Sequence, residues 1–183
     1  SVFSDVYTSI SVDTDPTWGQ NTDATEIDIN GNTALKYENL NYQGLNYEEH
    51  TDVSSMDYIH LDYYTDNATA FEFFLISSGR LENSYNIATN EGIILGQWIS
   101  VDIPLSSYTV PDLSNLFQFK TVGNGTLYLD NLYFWKESDI DASLSDLKVD
   151  GITAATADTA VTIKGAGSGK VVLGDGELIF PDA

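Results

Sequence analysis

The sequence predicts an all-β fold, an antiparallel β-sandwich of jelly-roll type with a small C-terminal β segment. Three observations predict it. Apolar and polar residues alternate with period two along most of the chain, helical periodicity is almost absent, and Asn, Asp and Gly punctuate the alternating runs at short intervals. Many short strands spaced in this way make a sandwich or a barrel. The sandwich is expected, with two sheets packed about 10 Å apart.

The elements follow in order. The opening Val2-Phe3-Ser4-Asp5-Val6-Tyr7-Thr8-Ser9-Ile10 reads as a first strand. Further strands are expected near residues 26–30, 34–40, 58–64, 70–77, 98–103, 116–121 and 126–135, with turns at Asn30-Gly31-Asn32, Asn90-Glu91-Gly92 and Gly123-Asn124-Gly125. Alternation assigns the faces. Ile59, Leu61 and Tyr63 point one way, and His60, Asp62 and Tyr64 the other. Phe117 and Phe119 form an apolar set, with Leu116, Gln118 and Lys120 facing away. Leu127, Leu129 and Asn131 oppose Tyr128, Asp130, Leu132 and Phe134. Trp98 leads its strand and reads as core. A boundary falls at 137/138, within the polar Lys136-Glu137-Ser138-Asp139, after which the composition turns to Ala, Thr, Gly and Asp. Residues 1–137 are thus expected to form the sandwich, and 138–183 a short β unit too small for a strong core of its own.

Composition narrows the partners. Lys and Arg total 7 against 28 Asp and Glu, a formal charge of −21. Such a chain repels phosphate backbones and anionic lipid heads, which excludes nucleic acid and membrane surfaces. No apolar run approaches the roughly 20 residues that span a bilayer. There is no Cys, so no disulfide or thiolate metal site is possible. With no leader before its first strand pattern, the chain reads as a mature or excised piece of something longer. Eleven Tyr, eight Phe and three Trp exceed the needs of a small core, and Tyr and Trp suit half-wet binding surfaces.

Several constellations bear on chemistry. Glu26-Ile27-Asp28-Ile29 places two carboxylates on one strand face, as retaining glycosidases do, but Asn30 and Gly31 follow where an acid/base Glu is needed. His50 and His60 are the only histidines, and neither a Gly-x-Ser-x-Gly elbow nor a His-Glu-x-x-His motif is present. Gly165-Ala166-Gly167-Ser168-Gly169-Lys170 lacks the order of a phosphate loop and reads as a turn. Asp5 on the first strand and Asp130 on the last could converge as hard-cation ligands, or both could be surface carboxylates. Trp18-Gly19-Gln20 lies in a Pro/Asp-rich loop and Tyr42-Gln43-Gly44 follows a strand. A sugar ring, with an apolar face and a rim of hydroxyls, wants an aromatic platform beside amides and charged groups. Trp18, Gln20, Tyr42, Gln43, His60, Asp62, Gln118 and Lys120 supply that chemistry. The other reading of Trp18 and Tyr42 is that they cap the core.

With these residues in hand, the chain resembles the calcium-containing β-sandwich carbohydrate-binding modules found with bacterial β-glucanases and in surface glycan-binding proteins. The matching pieces are Val2-Phe3-Ser4-Asp5, Trp18-Gly19-Gln20, Asn39-Leu40-Asn41-Tyr42-Gln43-Gly44, His60-Leu61-Asp62, the stretch from Trp98 to Leu105, Phe117-Gln118-Phe119-Lys120 and the stretch from Gly125 to Phe134. They cover roughly residues 1–136 and are specific in order and spacing rather than singly. The resemblance implies Ca2+ held by Asp5 and Asp130, and a glycan platform at Trp18, Tyr42 and Gln43. It also implies an extracellular, secreted or cell-surface setting, as a monomer or as part of a larger multidomain protein, without catalysis. β-1,3-Glucan (laminarin) is the first ligand implied. Ala142-Ser143-Leu144-Ser145-Asp146-Leu147-Lys148-Val149-Asp150-Gly151 resembles the opening of cadherin-like or immunoglobulin-like spacer domains. Two other classes remain open at this point. One is a structural spacer or adhesion domain of a bacterial surface or phage-like protein. The other is a glycoside hydrolase, weakened by the incomplete carboxylate set.

Overall fold

A computed structural model describes residues 1–137 of the chain. The expected C-terminal β unit at 138–183 lies outside the described residues.

Period-two patterning produces ten strands: β1 Val12–Asp13, β2 Asp23–Ile29, β3 Asn32–Glu38, β4 Tyr42–Thr51, β5 Tyr58–Tyr64, β6 Phe71–Ser77, β7 Leu81–Asn86, β8 Ile99–Pro104, β9 Leu116–Gly123 and β10 Leu127–Trp135, with one short α-helix, α1 Ile87–Asn90, and two single 3-10 turns, Ser78–Arg80 and Leu105–Ser107, among the described residues. They form two five-stranded sheets. Sheet I has the order β1-β4-β9-β6-β7 and sheet II the order β2-β3-β10-β5-β8, and every pairing is antiparallel. The chain changes sheet after β1, β3, β4, β5, β7, β8 and β9, which is the jelly-roll pattern of the expected sandwich.

Local chemistry explains the turns. Asn30 and Gly31 join β2 to β3 with φ of 57° and 88°. Both central residues are left-handed, the I′ arrangement whose twist matches a two-residue hairpin. Gly92, with φ 79°, closes α1, where its N–H and that of Glu91 both bond the Ile87 carbonyl.

The inner faces meet in one core. Leu35 and Tyr37 of β3, Ile59, Leu61 and Tyr63 of β5, Phe71, Phe73 and Leu75 of β6, and Phe119 of β9 are fully buried. Each such side chain stabilises the fold by about 2 kcal/mol through apolar burial, as an upper estimate. β5 has the expected faces: its odd residues are buried and its even ones half-exposed.

Elsewhere a bulge shifts the phase. In β10, Leu127 and Leu129 point inward, but so do Leu132 and Phe134, an odd set followed by an even set. The register against β5 slips between Asp130 and Tyr133, and Asn131 takes φ 51°. One extra residue thus returns apolar side chains to the core. In β9 the pairing slips at Phe117, so Leu116 is buried and Phe117 half-exposed, the reverse of the expected faces. The N-terminal segment is not a strand either: its one backbone bridge to sheet II is between Phe3 and Leu132, reinforced by side-chain bonds from Ser4 to Asn131 and from the Thr33 N–H to Asp5. Trp98 lies outside the core, 40% exposed, because β8 begins one residue later and the indole leans on Tyr64 from outside.

Candidate functional site

The loop after β1 is held by polar side chains. The Gln20 side chain accepts a hydrogen bond from the Trp18 N–H at 2.7 Å and donates to the Pro16 carbonyl at 2.8 Å and to Gln43 Oε1 at 3.2 Å. Gln43 Nε2 in turn donates to Asp15 Oδ1 at 3.3 Å. The Tyr42 hydroxyl donates to the Trp18 carbonyl at 2.9 Å. Gly19, with φ 84°, permits the turn that brings the Gln20 side chain back under Trp18.

This loop lays Trp18 on the outside of sheet I. Gln43, Leu45 and Tyr47 of β4 are buried, so Tyr42, Gly44 and Asn46 face outward. The benzo ring of the Trp18 indole covers Gly44, and a Cβ there would come within 2.4 Å of two of its carbons. Directly opposite Gly44 and Asn46 on β9 lie Lys120 and Gln118. Phe74 of β6 pairs with Lys120. Gln118 Nε2 donates to Asn46 Oδ1 at 2.9 Å. Lys120 Nζ lies 2.7 Å from Glu82 Oε1 and 4.1 Å from the centre of the Phe74 ring. The face therefore joins half-buried aromatic surface to amides, a hydroxyl and one neutralised cation. Such a face can stack on the apolar side of a polyol and hydrogen-bond its rim.

The eight residues read from the sequence as sugar contacts fall in three places. Trp18, Tyr42, Gln118 and Lys120 share the outer face of sheet I. Gln20 and Gln43 lie behind it as supports of the loop, and Gln43 is only 1% exposed. A surface ligand does not reach Gln43 without disturbing the fold. His60 and Asp62 point out of sheet II, on the other side of the sandwich, so one ligand cannot contact both groups. Sequence reasoning missed Asn46, Phe74 and Glu82. Asn46 and Glu82 lie on β4 and β7, strands whose patterns read as loop.

On sheet II, His60 is clamped. Its Nε2 lies 3.3 Å from Asp62 Oδ1 and its Nδ1 2.8 Å from Asp102 Oδ1, and its ring stacks on Tyr133 with centroids 4.6 Å apart. The bond to Asp62 raises its pKa most, burial opposes this, and Asp102 adds to the rise. Burial pushes Asp62 up, but bonds from His60, Ser100 and Asn131 outweigh it and hold the carboxyl below its ordinary range. With both ring nitrogens facing carboxylates, His60 presents no free lone pair to a substrate in this arrangement. Glu26 accepts from the Thr14 hydroxyl, and Asp28 from the Gly31 N–H at the hairpin turn.

Asp5 lies near enough to Asp130 of β10 for its charge to act on that carboxyl, and its Oδ2 accepts from the Thr33 N–H at 2.5 Å. Asp130 is buried, and it accepts from Asn32 Nδ2 at 2.7 Å and from the Asn131 N–H at 2.6 Å. Burial pushes its pKa up, and the negative charges of Asp62 and Asp5 push it further, against those two bonds. Neither Asp5 nor Asp130 has an ion-pair partner among the described residues. These oxygen-only, unneutralised donors fit a hard cation. Among the described residues, no group of three or more His, Asp or Glu side chains is arranged to hold a metal. Calcium here would take its other oxygens from side-chain amides and backbone carbonyls.

Comparison with known proteins adds the fold. No family model and no curated protein matches the chain. Solved carbohydrate-binding modules do. A crystal structure of a family 30 module is 15% identical, covering 75% of this chain and 82% of that one, with a TM-score of 0.50. The family 11 module from Clostridium thermocellum, in complex with a β-1,3-1,4-mixed-linked tetrasaccharide, is 16% identical over 69% of this chain and 88% of that one, with a TM-score of 0.47. A module described for specific mannan recognition, TmCBM27, is 14% identical over 69% and 89%, with a TM-score of 0.42. At these identities the likeness is one of fold: two packed antiparallel sheets.

Proposed function

We propose that this chain is a non-catalytic carbohydrate-binding module that takes a neutral polysaccharide on the outer face of sheet I, with β-1,3-glucan (laminarin) as the first ligand. One observation carries the proposal: the Trp18 indole lies over Gly44, beside Tyr42, Asn46, Gln118 and Lys120. A pyranose ring stacks on the indole while its hydroxyls meet the amides. The one cation on this part of the face is paired with Glu82, and Glu72 also faces outward, so an anionic polysaccharide is disfavoured. Ordering a flexible chain offsets much of the contact energy, so a single site binds weakly. Calcium at Asp5 and Asp130, where it would tie the N-terminal segment to β10, and an extracellular setting belong to the same proposal.

The test is electrophoresis through gels containing laminarin, mixed-linkage glucan, mannan or a uronate polymer. Wild type is retarded by a neutral glycan and not by the uronate. Trp18→Ala runs unretarded, with a melting temperature within about 4 °C of wild type. Equal retardation of Trp18→Ala removes the platform from the account, and a collapse of melting makes Trp18 a core residue. A second reading, a spacer or adhesion domain, has one observation in its favour: Ile94, Leu95 and Trp98 form an exposed apolar stretch before β8. Failure of wild type to bind any glycan, together with self-association, decides for it.

A further inference from the structure

Trp18 does not hold its own attitude; the backbone beneath it and the amides behind it do. Three of its ring carbons lie 2.3, 2.4 and 2.8 Å from where a Gly44 Cβ would stand, closer than any side chain tolerates, so no other residue type admits the ring at this height. Gly44 has no positive φ, so neither a turn nor backbone strain explains the glycine. Its one structural consequence is the space the indole fills. The neighbouring Gln43 points the other way, into the interior, and is 1% exposed. Its amide spans the loop: Nε2 reaches Asp15 on one side of Trp18, and Oε1 accepts from Gln20 on the other. Gln20 in turn accepts from the Trp18 N–H itself. A buried amide with both ends engaged is costly to remove and specific in geometry.

We propose that Gly44 and Gln43 are positioning residues: Gly44 sets the height and Gln43 the angle of the Trp18 ring, and together they prepay the ordering that a sugar would otherwise have to impose. This rests on the reading of sheet I as the binding face. Neither residue touches ligand. Pre-ordering an aromatic ring raises affinity by lowering the entropic cost of binding, so loss of either support weakens binding with every ligand-contacting side chain still present. Adjacent residues of one strand thus serve one ring from opposite sides of the sheet.

The experiment uses the full chain labelled with 5-fluorotryptophan, whose three tryptophans are resolved by 19F NMR and assigned with Trp18→Phe. Gly44→Ala moves the Trp18 resonance and leaves those of Trp98 and Trp135 in place, and laminarin affinity falls about tenfold. Gln43→Met moves or broadens the same resonance, with a loss of about threefold. If Gly44→Ala does not fold, Gln43→Met carries the test. An unmoved Trp18 resonance in a folded variant overturns the proposal, as does a moved resonance with affinity unchanged. If wild type binds no laminarin while the resonance moves, the positioning holds and the choice of ligand fails, so the two outcomes are distinguishable.

Discussion

Two tyrosines bury hydroxyls that have no partner among the described residues. Tyr37 of β3 and Tyr47 of β4 project into the core from opposite sheets, 0% and 3% exposed, and neither hydroxyl oxygen has a hydrogen-bond partner among the described residues. Burial pushes both phenol pKa values up. An unpaired buried hydroxyl costs roughly 1–3 kcal/mol. Phe in either place keeps the ring, including the edge contact of Tyr47 with Phe119 at 5.1 Å, and removes only the oxygen. Discounting for the small void it leaves, each substitution is expected to stabilise by about 1 kcal/mol. Unfolding entropy of about 2.1 cal/mol/K per residue amounts to roughly 0.3 kcal/mol/K over the described 137 residues. Each variant should then melt about 3–4 °C higher, and the pair about 7 °C higher if the sites are independent. Scanning calorimetry and urea midpoints measure it. Destabilisation by about 0.5 kcal/mol or more in either variant would show that the hydroxyl is satisfied, through a bound water, and would refute the reasoning.

The raised pKa of His60 fixes a sign. Its contribution to stability is full below its unfolded value of 6.5 and fades as pH rises through the higher native value. The melting advantage of wild type over His60→Gln should be largest near pH 5.5 and shrink toward pH 9, where a pH-independent difference would contradict the clamp. Calcium added to chelator-treated protein is expected to raise the melting temperature by about 5 °C at saturation, and Asp130→Asn should abolish the shift. No response of wild type to calcium ends the metal proposal.

Much of the sandwich is legible in the sequence, because its core strands alternate cleanly. The β5 segment is bounded and faced as its pattern predicts, and Asn30-Gly31 announces its own hairpin. The failures have physical causes. β4 reads as a loop because Gly44 and Asn46 are turn formers and Gln43 is polar, yet Gly44 lies under Trp18 and Gln43 is buried and bonded to the loop after β1. β7, Leu-Glu-Asn-Ser-Tyr-Asn, lies at the edge of sheet I and pairs on one side only, so it carries no apolar alternation. The slips at Phe117 and Asn131 are invisible to simple alternation, although the odd-then-even leucines of β10 do signal one. For the proposed site, residue chemistry alone selects Trp18, Tyr42, Gln118 and Lys120. It could not show that His60 and Asp62 lie on the opposite sheet, because similar alternation on two strands does not reveal which sheet each joins.

The central claim is that sugar meets this protein on the outer face of sheet I. Its most direct test is an amide and indole NMR titration of the 15N-labelled chain with a laminarin oligosaccharide. Binding on this face shifts the Trp18 indole N–H and the amides of residues 42–46 and 118–120 progressively, with sheet II unmoved. Shifts gathered instead around Tyr58, Tyr64, Trp98 and Trp135 would contradict it, as would a spectrum left unchanged throughout.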